Sequence, residues 1–434
     1  MTNLTPPCAD AGHRGWQALL VRVVSLEHLG RILSGLPKEP RIVTAGNFAT
    51  PWPLLAQLDA VVPAYRLFVL NAQRGLPDRD GVVYETPFVG DGMRRHPRLR
   101  YLPARLSTVP LLFTSTCPPD VVALHTTPER SGAVSMGVEV NVLPAALEAV
   151  RGRGGLVVAQ LNPRMPWTYG DGVLDVDDID YAVEVDQALA SPTLPPLDEV
   201  SAAIGERVAS RVGDGATLQM GIGMVPDAVL HGLADRRGLR IWSEMFSDGV
   251  LDLARRGALE ESTPITSSFV FGSSELYAWV DANPGVRVLR TERTNDPALI
   301  ARNPAMTSIN SALQVDLFGQ ANASRVSGRI YSGFGGQTDF IVGALHSRGG
   351  QAIIALRSWH PRADCSTIIP LVDEPVTSFQ FSAVVTEQGT AELFGHDQFA
   401  QARNLIEQAA HPSAREELWE EAVELGLTAP AGAP

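Results

Sequence analysis

Residues 216–229 read ATLQMGIGMVPDAV, and residues 239–250 read LRIWSEMFSDGV. The first stretch predicts a strand at 217–221 that passes through a glycine-rich turn into a helix, where Pro226 and Asp227 suit the first turn. The second stretch predicts the next strand, at 239–244. A strand, a helix and a second strand in this order form the repeating unit of a parallel sheet. This part of the chain therefore predicts an α/β fold.

The same alternation of short apolar runs and helical patterns continues along the chain. In the first half it predicts strands at 41–45, 66–71, 110–114, 121–125 and 156–161. In the second half it predicts further strands at 287–290, 352–356 and 383–386. The proline-rich stretch ASPTLPPL at 190–197 is typical of a connection. Because 434 residues exceed one ordinary hydrophobic core, we predict two α/β domains, at 1–190 and 191–434, each with a largely parallel sheet and flanking helices.

Charge and cysteine content restrict the partners and the compartment. A net charge of −13 without long basic runs argues against duplex DNA or an anionic membrane surface, so we expect no nucleic-acid and no membrane partner. The first residues, MTNLTPP, lack the layout of a secretory signal. Cys8, Cys117 and Cys365 are widely separated and predict neither a disulfide framework nor a zinc site. These features lead us to expect a cytoplasmic protein.

Lysine content restricts the chemistry further. Lys38 is the only lysine of the chain and lies in a loop-like LPKEP segment, which argues against Schiff-base or pyridoxal-phosphate chemistry. The chain contains no GxxxxGK[ST] phosphate-binding motif and no GxSxG nucleophile motif. The GIGMVP segment matches a dinucleotide fingerprint only superficially, because Pro226 stands at the position of the third glycine. We therefore expect no tightly bound cofactor and no metal site.

Glu244 stands at the end of the second strand quoted above. Ligands of an open parallel sheet collect beyond the carboxyl ends of its strands, so a carboxylate there is a candidate reactive group. A glutamate has a reference pKa of about 4.3 and needs no separate base to act as a nucleophile at neutral pH. Position alone leaves a surface or salt-bridged acid as the alternative. The glycine loop at 221–225 is likewise either a tight turn or a ligand loop whose amides stabilise a phosphate or an oxyanion.

The segment SEMFSDG at 243–249 resembles the catalytic glutamate motif of the acetyl-CoA hydrolase/transferase family, which includes glutamate-dependent CoA-transferases that act on 4-hydroxybutyrate, butyrate or acetate. Other segments match the motifs of the family in order: PDV at 119–121, SGAVSMG at 131–137, NPRMP at 162–166, NDP at 295–297, SINSA at 308–312, DLFGQ at 316–320, YSGFGGQTDF at 331–340 and VTEQGTA at 385–391. The resemblance covers roughly residues 40–425. Several ordered motifs are more specific than any one of them.

This resemblance implies an acyl-CoA:carboxylate CoA-transferase with two CoA-transferase-like domains. In such an enzyme Glu244 attacks the acyl-CoA thioester, and turnover passes through a glutamyl-CoA thioester with ping-pong kinetics. Oxyanion and CoA-binding roles fall by resemblance to Gly221, Gly223, Met224, Val225, Asn295, Gly335, Gly336, Gln337 and Glu387. Gly46 and Asn47 are expected to help form an acyl pocket in the first domain. The implied substrates are acyl-CoA and short-chain carboxylates, and the family suggests a homodimer or a higher homo-oligomer.

Three other functions stay open. The first is an acyl-CoA hydrolase that uses the same site, and the second is a catalytically silent CoA-binding or scaffold protein. The third is a nicotinamide-dependent dehydrogenase, to which the interrupted glycine pattern gives little support. The chain also departs from the family where close members carry arginine, at Phe379, Gln380 and Phe394, and where an acid is expected, at Gln160. These departures bear on the acyl substrate and on contacts with CoA phosphates.

Overall fold

A computed structural model describes residues 21–191 and 196–428. Cys8 and part of the expected connection at 190–197 lie outside the described residues. Within them, no helix is long and apolar enough to cross a membrane. The description that follows is confined to these two ranges.

The described residues form a mixture of short strands and helices. The strands are β1 Arg41–Thr44, β2 Tyr65–Val69, β3 Val82–Thr86, β4 Leu99–Tyr101, β5 Val121–Thr126, β6 Ala133–Ser135, β7 Leu156–Leu161, β8 Tyr169–Gly170, β9 Val173–Asp175, β10 Tyr181–Glu184, β11 Thr217–Met220, β12 Arg240–Ile241, β13 Met245–Phe246, β14 Ile265–Ser267, β15 Phe269–Val270, β16 Val286–Val288, β17 Met306–Asn310, β18 Gln314–Asp316, β19 Ala321–Asn322, β20 Arg325–Val326, β21 Arg329–Ile330, β22 Gln351–Ala355, β23 Trp359–His360, β24 Cys365–Ser366, β25 Ile368–Ile369, β26 Ala383–Val385 and β27 Thr390–Glu392.

The helices are α1 Leu26–Leu33, α2 Trp52–Val61, α3 Val109–Phe113, α4 Leu143–Gly152, α5 Glu199–Ser210, α6 Met224–Gly232, α7 Asp248–Arg255, α8 Ser274–Val280, α9 Thr291–Thr294, α10 Pro297–Ile300, α11 Gln337–His346, α12 Gln398–Asn404 and α13 Arg415–Glu424. Single helical turns occur at Leu106–Thr108, Val176–Asp178, Leu405–Ala409 and Pro412–Ala414.

Two large sheets organise the chain. A seven-stranded sheet has the order β10-β7-β5-β1-β2-β3-β4, and all of its pairings are parallel. A six-stranded sheet has the order β12-β11-β17-β22-β26-β27 and is parallel except for the β26–β27 pair. Every residue of β5 is buried, as expected for a β-branched run at the centre of a covered parallel sheet. The predicted α/β class with largely parallel sheets is confirmed.

Two of the predicted strands differ in the structure. A strand is expected at 110–114, but residues 110–113 belong to α3 and Thr114 follows it, because Pro110 fits the first turn of a helix and has no N–H to donate to a strand pair. The strand expected at 287–290 exists as β16, but it belongs to a separate three-stranded sheet with β14 and β8. Several strands of the two large sheets are absent from the prediction, namely β3, β4, β10, β27 and the central strand β17. The sequence of β17, MTSIN, lacks a clear apolar alternation, and its polar side chains Ser308 and Asn310 donate hydrogen bonds to Gln219 of the neighbouring strand.

The two halves of the chain are joined by main-chain pairing. Strand β8, from the first half, pairs with β16, from the second. Val270 N donates to Val138 O over 2.7 Å. The largest cluster of buried apolar side chains contains both Val43 and Val385. The two large sheets therefore contribute to one common cluster, and each has a further cluster of its own. The division into two domains near residue 190 stays a prediction.

Close packing of strand ends places the first residues of the site. A Cβ atom added to Gly46, just beyond β1, would overlap the carbonyl oxygen of Leu70, just beyond β2. Only a residue without a side chain allows the two strands to end so close together. This approach puts the residues that follow β1 and β2 side by side.

We expect Gly46→Ala to destabilise the fold by about 3 kcal/mol, because the added methyl group must force the ends of β1 and β2 apart. The matched control is Gly152→Ala at the end of α4, where an added Cβ meets nothing within 4 Å. Urea denaturation followed by tryptophan fluorescence measures both variants. Equal unfolding midpoints for the two variants would show that the strand ends separate at no cost.

Candidate active site

A cavity of about 220 Å³ lies where the carboxyl ends of the two large sheets face each other. Asn47 and Asn71 line it from beyond β1 and β2, while Gly221 and Asn310 line it from the ends of β11 and β17. Among the described residues that line it, Glu244 alone carries a charge. The cavity therefore places one carboxylate in a largely uncharged space at the position where parallel sheets bind ligands.

The backbone around Glu244 is held on both sides. Ser243 Oγ donates to Met220 O over 3.1 Å, which ties the residue before Glu244 to the end of β11. The carbonyl of Glu244 accepts hydrogen bonds from Ser268 N and Phe269 N, at 2.8 and 3.1 Å. The chain leaves β12 after two residues and joins β15 through β13, so Glu244 stands at the crossing between two sheets. Its side chain is only partly accessible.

Burial raises the pKa of Glu244 to about 7. Removal of a carboxylate from water disfavours its charged form, and Asp339 adds to the shift by repulsion. The side-chain amide of Asn295 and the backbone N–H of Gly336 oppose it. A carboxylate with so little solvation is a stronger nucleophile than one in water, provided that it is ionised.

Asn295 is fully buried and oriented by its neighbours. Thr294 Oγ1 donates to Asn295 Oδ1 over 2.7 Å, and Thr294 O accepts from Trp242 Nε1 over 2.9 Å. The Nδ2 atom of Asn295 consequently faces Glu244, but it has no hydrogen bond of good geometry with any described residue. A buried amide donor without a partner is costly in a folded protein and marks a group kept for a ligand or a reacting atom.

Residues 333–337 bring backbone N–H groups to Glu244. A Cβ atom added to Gly336 would collide with both Asn295 Nδ2 and Glu244 Oε2, so these three groups converge. The segment is fixed by the first half of the chain, because Leu106 N donates to Gly335 O over 3.0 Å and Val89 N donates to Ser332 O over 2.7 Å. Helix α11 begins at Gln337, the last residue of this segment, and its N-terminal end carries partial positive charge.

Asp339 joins the two halves beneath this segment. Its carboxylate accepts from Ser107 N and Ser107 Oγ, at 3.1 and 2.8 Å. Burial raises the pKa of Asp339 to about 6, whereas the two Ser107 bonds and Arg105 lower it. Asp339 was not among the predicted site residues, although its place in the first turn of a helix next to the glycine segment is a sequence signal for it.

A second buried carboxylate lies on the other side of the cavity. Glu139 Oε1 accepts from Gly46 N, Asn47 Nδ2 and Asn141 Nδ2, and Glu139 Oε2 accepts from Asn47 N, all between 2.9 and 3.1 Å. Burial raises the pKa of Glu139, and these four N–H donors oppose that shift. Glu139 also bridges to Phe269 in β15, next to the strand that carries Met245. Sequence reasoning missed Glu139, because it follows a matched motif without belonging to it.

Comparison with known proteins agrees with this geometry. The N-terminal domain of the acetyl-CoA hydrolase/transferase family matches residues 78–195, and its C-terminal domain matches residues 272–422. A 4-hydroxybutyrate coenzyme A transferase from Clostridium kluyveri is 41% identical over 336 residues, which cover 75% of this chain and 77% of that protein. The chain belongs to the acetyl-CoA hydrolase/transferase family.

Solved structures of similar proteins share the fold. RipA from Yersinia pestis is 26% identical with a TM-score of 0.86, and the match covers 94% of this chain and 98% of that one. A 4-hydroxybutyrate CoA-transferase from Porphyromonas gingivalis is 30% identical with a TM-score of 0.77, covering 93% of this chain and 98% of that one. The interpretation of the chain as an enzyme of this CoA-transferase family, made from its ordered motifs, is confirmed.

The residues assigned by resemblance to the family fall into three groups in the structure. Glu244, Gly221, Gly335, Gly336, Gln337 and Asn47 line the cavity. Asn295 and Gly46 lie directly behind its wall, at Glu244 and at Glu139 respectively. Gly223, Met224, Val225 and Glu387 are outside the lining.

The last group has identifiable local roles. Gly223 precedes α6 with φ of 121°, a conformation that favours glycine, and Met224 and Val225 begin that helix. Glu387 accepts hydrogen bonds from Ser358 N, at 3.0 Å, and from Ser358 Oγ. Burial raises the pKa of Glu387, but its hydrogen bonds, first those with Ser358 and then one with Gln388, together lower the pKa below its usual value. Glu387 stands at the carboxyl edge of the same sheet as Glu244, beyond β26.

The departures from the family pattern lie away from Glu244. Gln160 is buried beside His125, whose pKa burial lowers to about 4, so a neutral amide faces a neutral imidazole. Phe379, Gln380 and Phe394 line a separate cavity of about 340 Å³ without a charged residue in its described lining. No cluster of three His, Cys, Asp or Glu suited to a metal occurs in the described ranges.

We expect the rate of covalent charging of Glu244 by acyl-CoA to rise as the pH rises through about 7, because only the ionised carboxylate attacks. Asn295→Leu removes an amide that favours the ionised form, so the midpoint of this rise should move to higher pH. Rapid-quench intact-mass measurement of the CoA adduct between pH 5 and 9 measures both midpoints. Asn404→Leu, at the half-buried C-terminal end of α12 and outside the cavity lining, is the matched control. An unshifted midpoint in Asn295→Leu would show that this amide does not act on Glu244.

Proposed function

We propose that this protein transfers coenzyme A between short-chain carboxylic acids, with Glu244 as the attacking group. The observation that carries the proposal is the convergence of the Glu244 carboxylate, the unpartnered Asn295 Nδ2 and the Gly336 N–H at one end of a cavity with no other charged residue in its described lining. Membership of the acetyl-CoA hydrolase/transferase family supports it.

The first half-reaction transfers CoA to the protein. The Glu244 carboxylate adds to the thioester carbonyl of acyl-CoA, and the C–S bond breaks to give a mixed anhydride and a CoA thiolate. The thiolate then adds to the glutamyl carbonyl of the anhydride. Cleavage of the anhydride releases the first carboxylate and leaves a glutamyl-CoA thioester on Glu244.

The second half-reaction reverses these steps with another acid. The incoming carboxylate adds to the glutamyl carbonyl and expels CoA thiolate, which forms a second mixed anhydride. The thiolate adds to the acyl carbonyl of that anhydride, so the new acyl-CoA leaves and the Glu244 carboxylate is regenerated. No ATP is consumed, because each thioester is exchanged for another thioester.

Both half-reactions pass through tetrahedral intermediates with negative charge on oxygen. Asn295 Nδ2 and Gly336 N–H are the donors closest to Glu244, and each such preorganised donor contributes about 3 kcal/mol in comparable sites. We assign the pantetheine arm to the loop that begins at Gly221 and to Gln337. The residues beyond β1 and β2, including Asn47, form the acyl side of the cavity.

We expect incubation with acetyl-CoA to leave a CoA-sized adduct on Glu244, because the glutamyl-CoA thioester is stable until an acceptor acid arrives. Intact-mass spectrometry after removal of free ligand detects the adduct, and peptide mapping places it. Glu244→Gln should carry none, whereas the control Glu275→Gln, an exposed residue paired with Arg255, should be charged like the wild type. Wild-type protein that stays unmodified with every donor tested would rule out this mechanism.

Hydrolysis at the same site is the second candidate, because the family also contains acetyl-CoA hydrolases. Acceptor dependence separates the two functions. A transferase without an acceptor keeps CoA on Glu244 as a thioester and releases free thiol only by slow hydrolysis of that thioester, whereas an added acid converts the bound CoA into new acyl-CoA. Full-rate thiol release without any acceptor would favour the hydrolase.

We expect Glu244→Asp to abolish CoA transfer while slow thioester hydrolysis persists. The shorter side chain withdraws the carboxylate by one methylene, and a misplacement of about 1 Å costs on the order of 100-fold in direct attack. A water in the vacated space can still be activated by the retracted carboxylate. Free thiol release and labelled-CoA exchange, each with and without acetate, measure the two activities; retained exchange in Glu244→Asp would show that Glu244 is not the attacking group.

A further inference from the structure

Three asparagines from the first half of the chain, Asn47, Asn71 and Asn141, line one wall of the cavity. Asn47 and Asn141 are buried, and Asn71 is partly accessible. Amide side chains can present either an N–H donor or a C=O acceptor to a ligand, depending on their orientation. The hydrogen bonds around these three residues determine which end each of them presents.

Glu139 fixes the first two amides. Its carboxylate can only accept hydrogen bonds, and it accepts from Asn47 Nδ2 at 3.1 Å and from Asn141 Nδ2 at 2.9 Å. If either amide were reversed, its oxygen would face a carboxylate oxygen with no proton between them. A protonated Glu139 would also lack an acceptor for its proton, since the groups that bond to it are all N–H donors.

The orientation of the Asn47 amide in turn fixes the orientation of the Asn71 amide. With Nδ2 of Asn47 turned to Glu139, its Oδ1 is left to accept, and it accepts from Asn71 Nδ2 over 2.6 Å. Asn71 Oδ1 is therefore the free end of the relay, and no hydrogen bond within the described part of the chain uses it. Asn141 Oδ1, by contrast, is occupied by Val142 N at 2.5 Å.

Several other polar side chains of the cavity already form hydrogen bonds within the protein. Gln219 Oε1 accepts from Ser308 Oγ at 2.7 Å and from Asn310 Nδ2 at 3.1 Å. Gln337 Nε2 donates to Ser311 O over 3.2 Å. Asn71 thus offers an acceptor on the acyl side, whereas Asn295 Nδ2 offers a donor beside Glu244.

The charges around the cavity also favour a hydroxylated acid over a dicarboxylic acid. Among the described lining residues there is no Lys, Arg or His, while Glu244 lines the cavity and Glu139 and Asp339 lie behind its walls. A second carboxylate on the acyl group would enter with only acceptor atoms and with no cation to pair with. A hydroxyl group carries no charge, and its O–H can donate a hydrogen bond to Asn71 Oδ1.

We infer that Asn71 Oδ1, oriented by Glu139 through Asn47, accepts a hydrogen bond from a hydroxyl group on the acyl chain and makes the site selective for short hydroxylated monocarboxylic acids over dicarboxylic acids. This inference rests on the CoA-transferase function proposed above. Asn71 is a specificity residue in this scheme, and Glu139 is a positioning residue that acts through Asn47.

The test of substrate class compares four-carbon acids that differ at one position. Wild-type protein is given acetyl-CoA and one of butyrate, 3-hydroxybutyrate, 4-hydroxybutyrate or succinate, and kcat/KM is measured for each acceptor. We expect the better hydroxybutyrate to exceed butyrate about tenfold, the usual effect of one additional hydrogen bond, and succinate to fall on the order of 100-fold below butyrate.

The test of the residues uses glycine at position 71. Asn71 has φ of 47°, so Asn71→Gly removes the amide without straining the backbone. The ratio of kcat/KM for the hydroxybutyrate to that for butyrate should fall to about one. Ser131→Gly makes the same change at an exposed left-handed residue with φ of 53° and is the matched control. Glu139→Gln should also lower the ratio, because a glutamine N–H lets Asn47 turn either way.

Each outcome bears on a separate claim. The inference would be wrong if kcat/KM for butyrate equalled or exceeded that for both hydroxybutyrates, or if succinate were an efficient acceptor. Either result would leave the proposed CoA transfer unaffected. If Asn71→Gly kept the wild-type ratio of kcat/KM for the hydroxybutyrate to that for butyrate, Asn71 would not determine the selectivity. If only Glu139→Gln kept the wild-type ratio, Glu139 would not orient Asn71 through Asn47. Failure of every acid to accept CoA, together with an uncharged Glu244, would instead contradict the proposed function.

Discussion

A carboxylate held away from bulk water without a cation is the constraint on which the rest of this structure depends. Burial raises the pKa of Glu244 to about 7, so the fold keeps a destabilised charge where it is needed for attack. The compensation comes from neutral donors, the Asn295 amide and the Gly336 N–H, rather than from Lys or Arg. Neutral donors leave the carboxylate nucleophilic, whereas a paired guanidinium would lower both its pKa and its reactivity.

This arrangement needs both halves of the chain. The segment that carries Gly336 belongs to the second half, but Leu106, Val89 and Ser107 of the first half hold it through Gly335, Ser332 and the Asp339 carboxylate. The backbone of Glu244 is in turn bonded to Ser268, whose carbonyl accepts from Val140 N at 3.0 Å. Relative movement of the two halves would therefore displace the donors and the nucleophile together. Strands β8 and β16 add main-chain pairing across the same boundary.

The acyl side of the cavity also contains a buried carboxylate that is stabilised by neutral N–H donors, namely Glu139. Glu139 is buried and accepts hydrogen bonds from four N–H donors, so the side-chain amides of Asn47 and Asn141 must turn their Nδ2 ends toward it. An acceptor-only group at the centre of a network imposes polarity on every amide linked to it. Because Glu139 only accepts hydrogen bonds, it fixes which donor and acceptor atoms the neighbouring amides present at the cavity wall.

The sequence by itself determined the α/β class, the family and the nucleophile candidate, because strand–turn–helix rhythm and ordered motifs are local properties that need no partner to be recognised. It failed at 110–114, where proline chemistry decided against a strand, and it missed several strands of the large sheets, among them β17, whose polar residues bond across the sheet. Only the tertiary structure brought Glu139, Asn71 and Asp339 to the site. These residues lie tens to hundreds of positions from Glu244, and their roles come from which N–H groups the folded chain brings to each carboxylate, a matter of burial and geometry that sequence spacing does not encode.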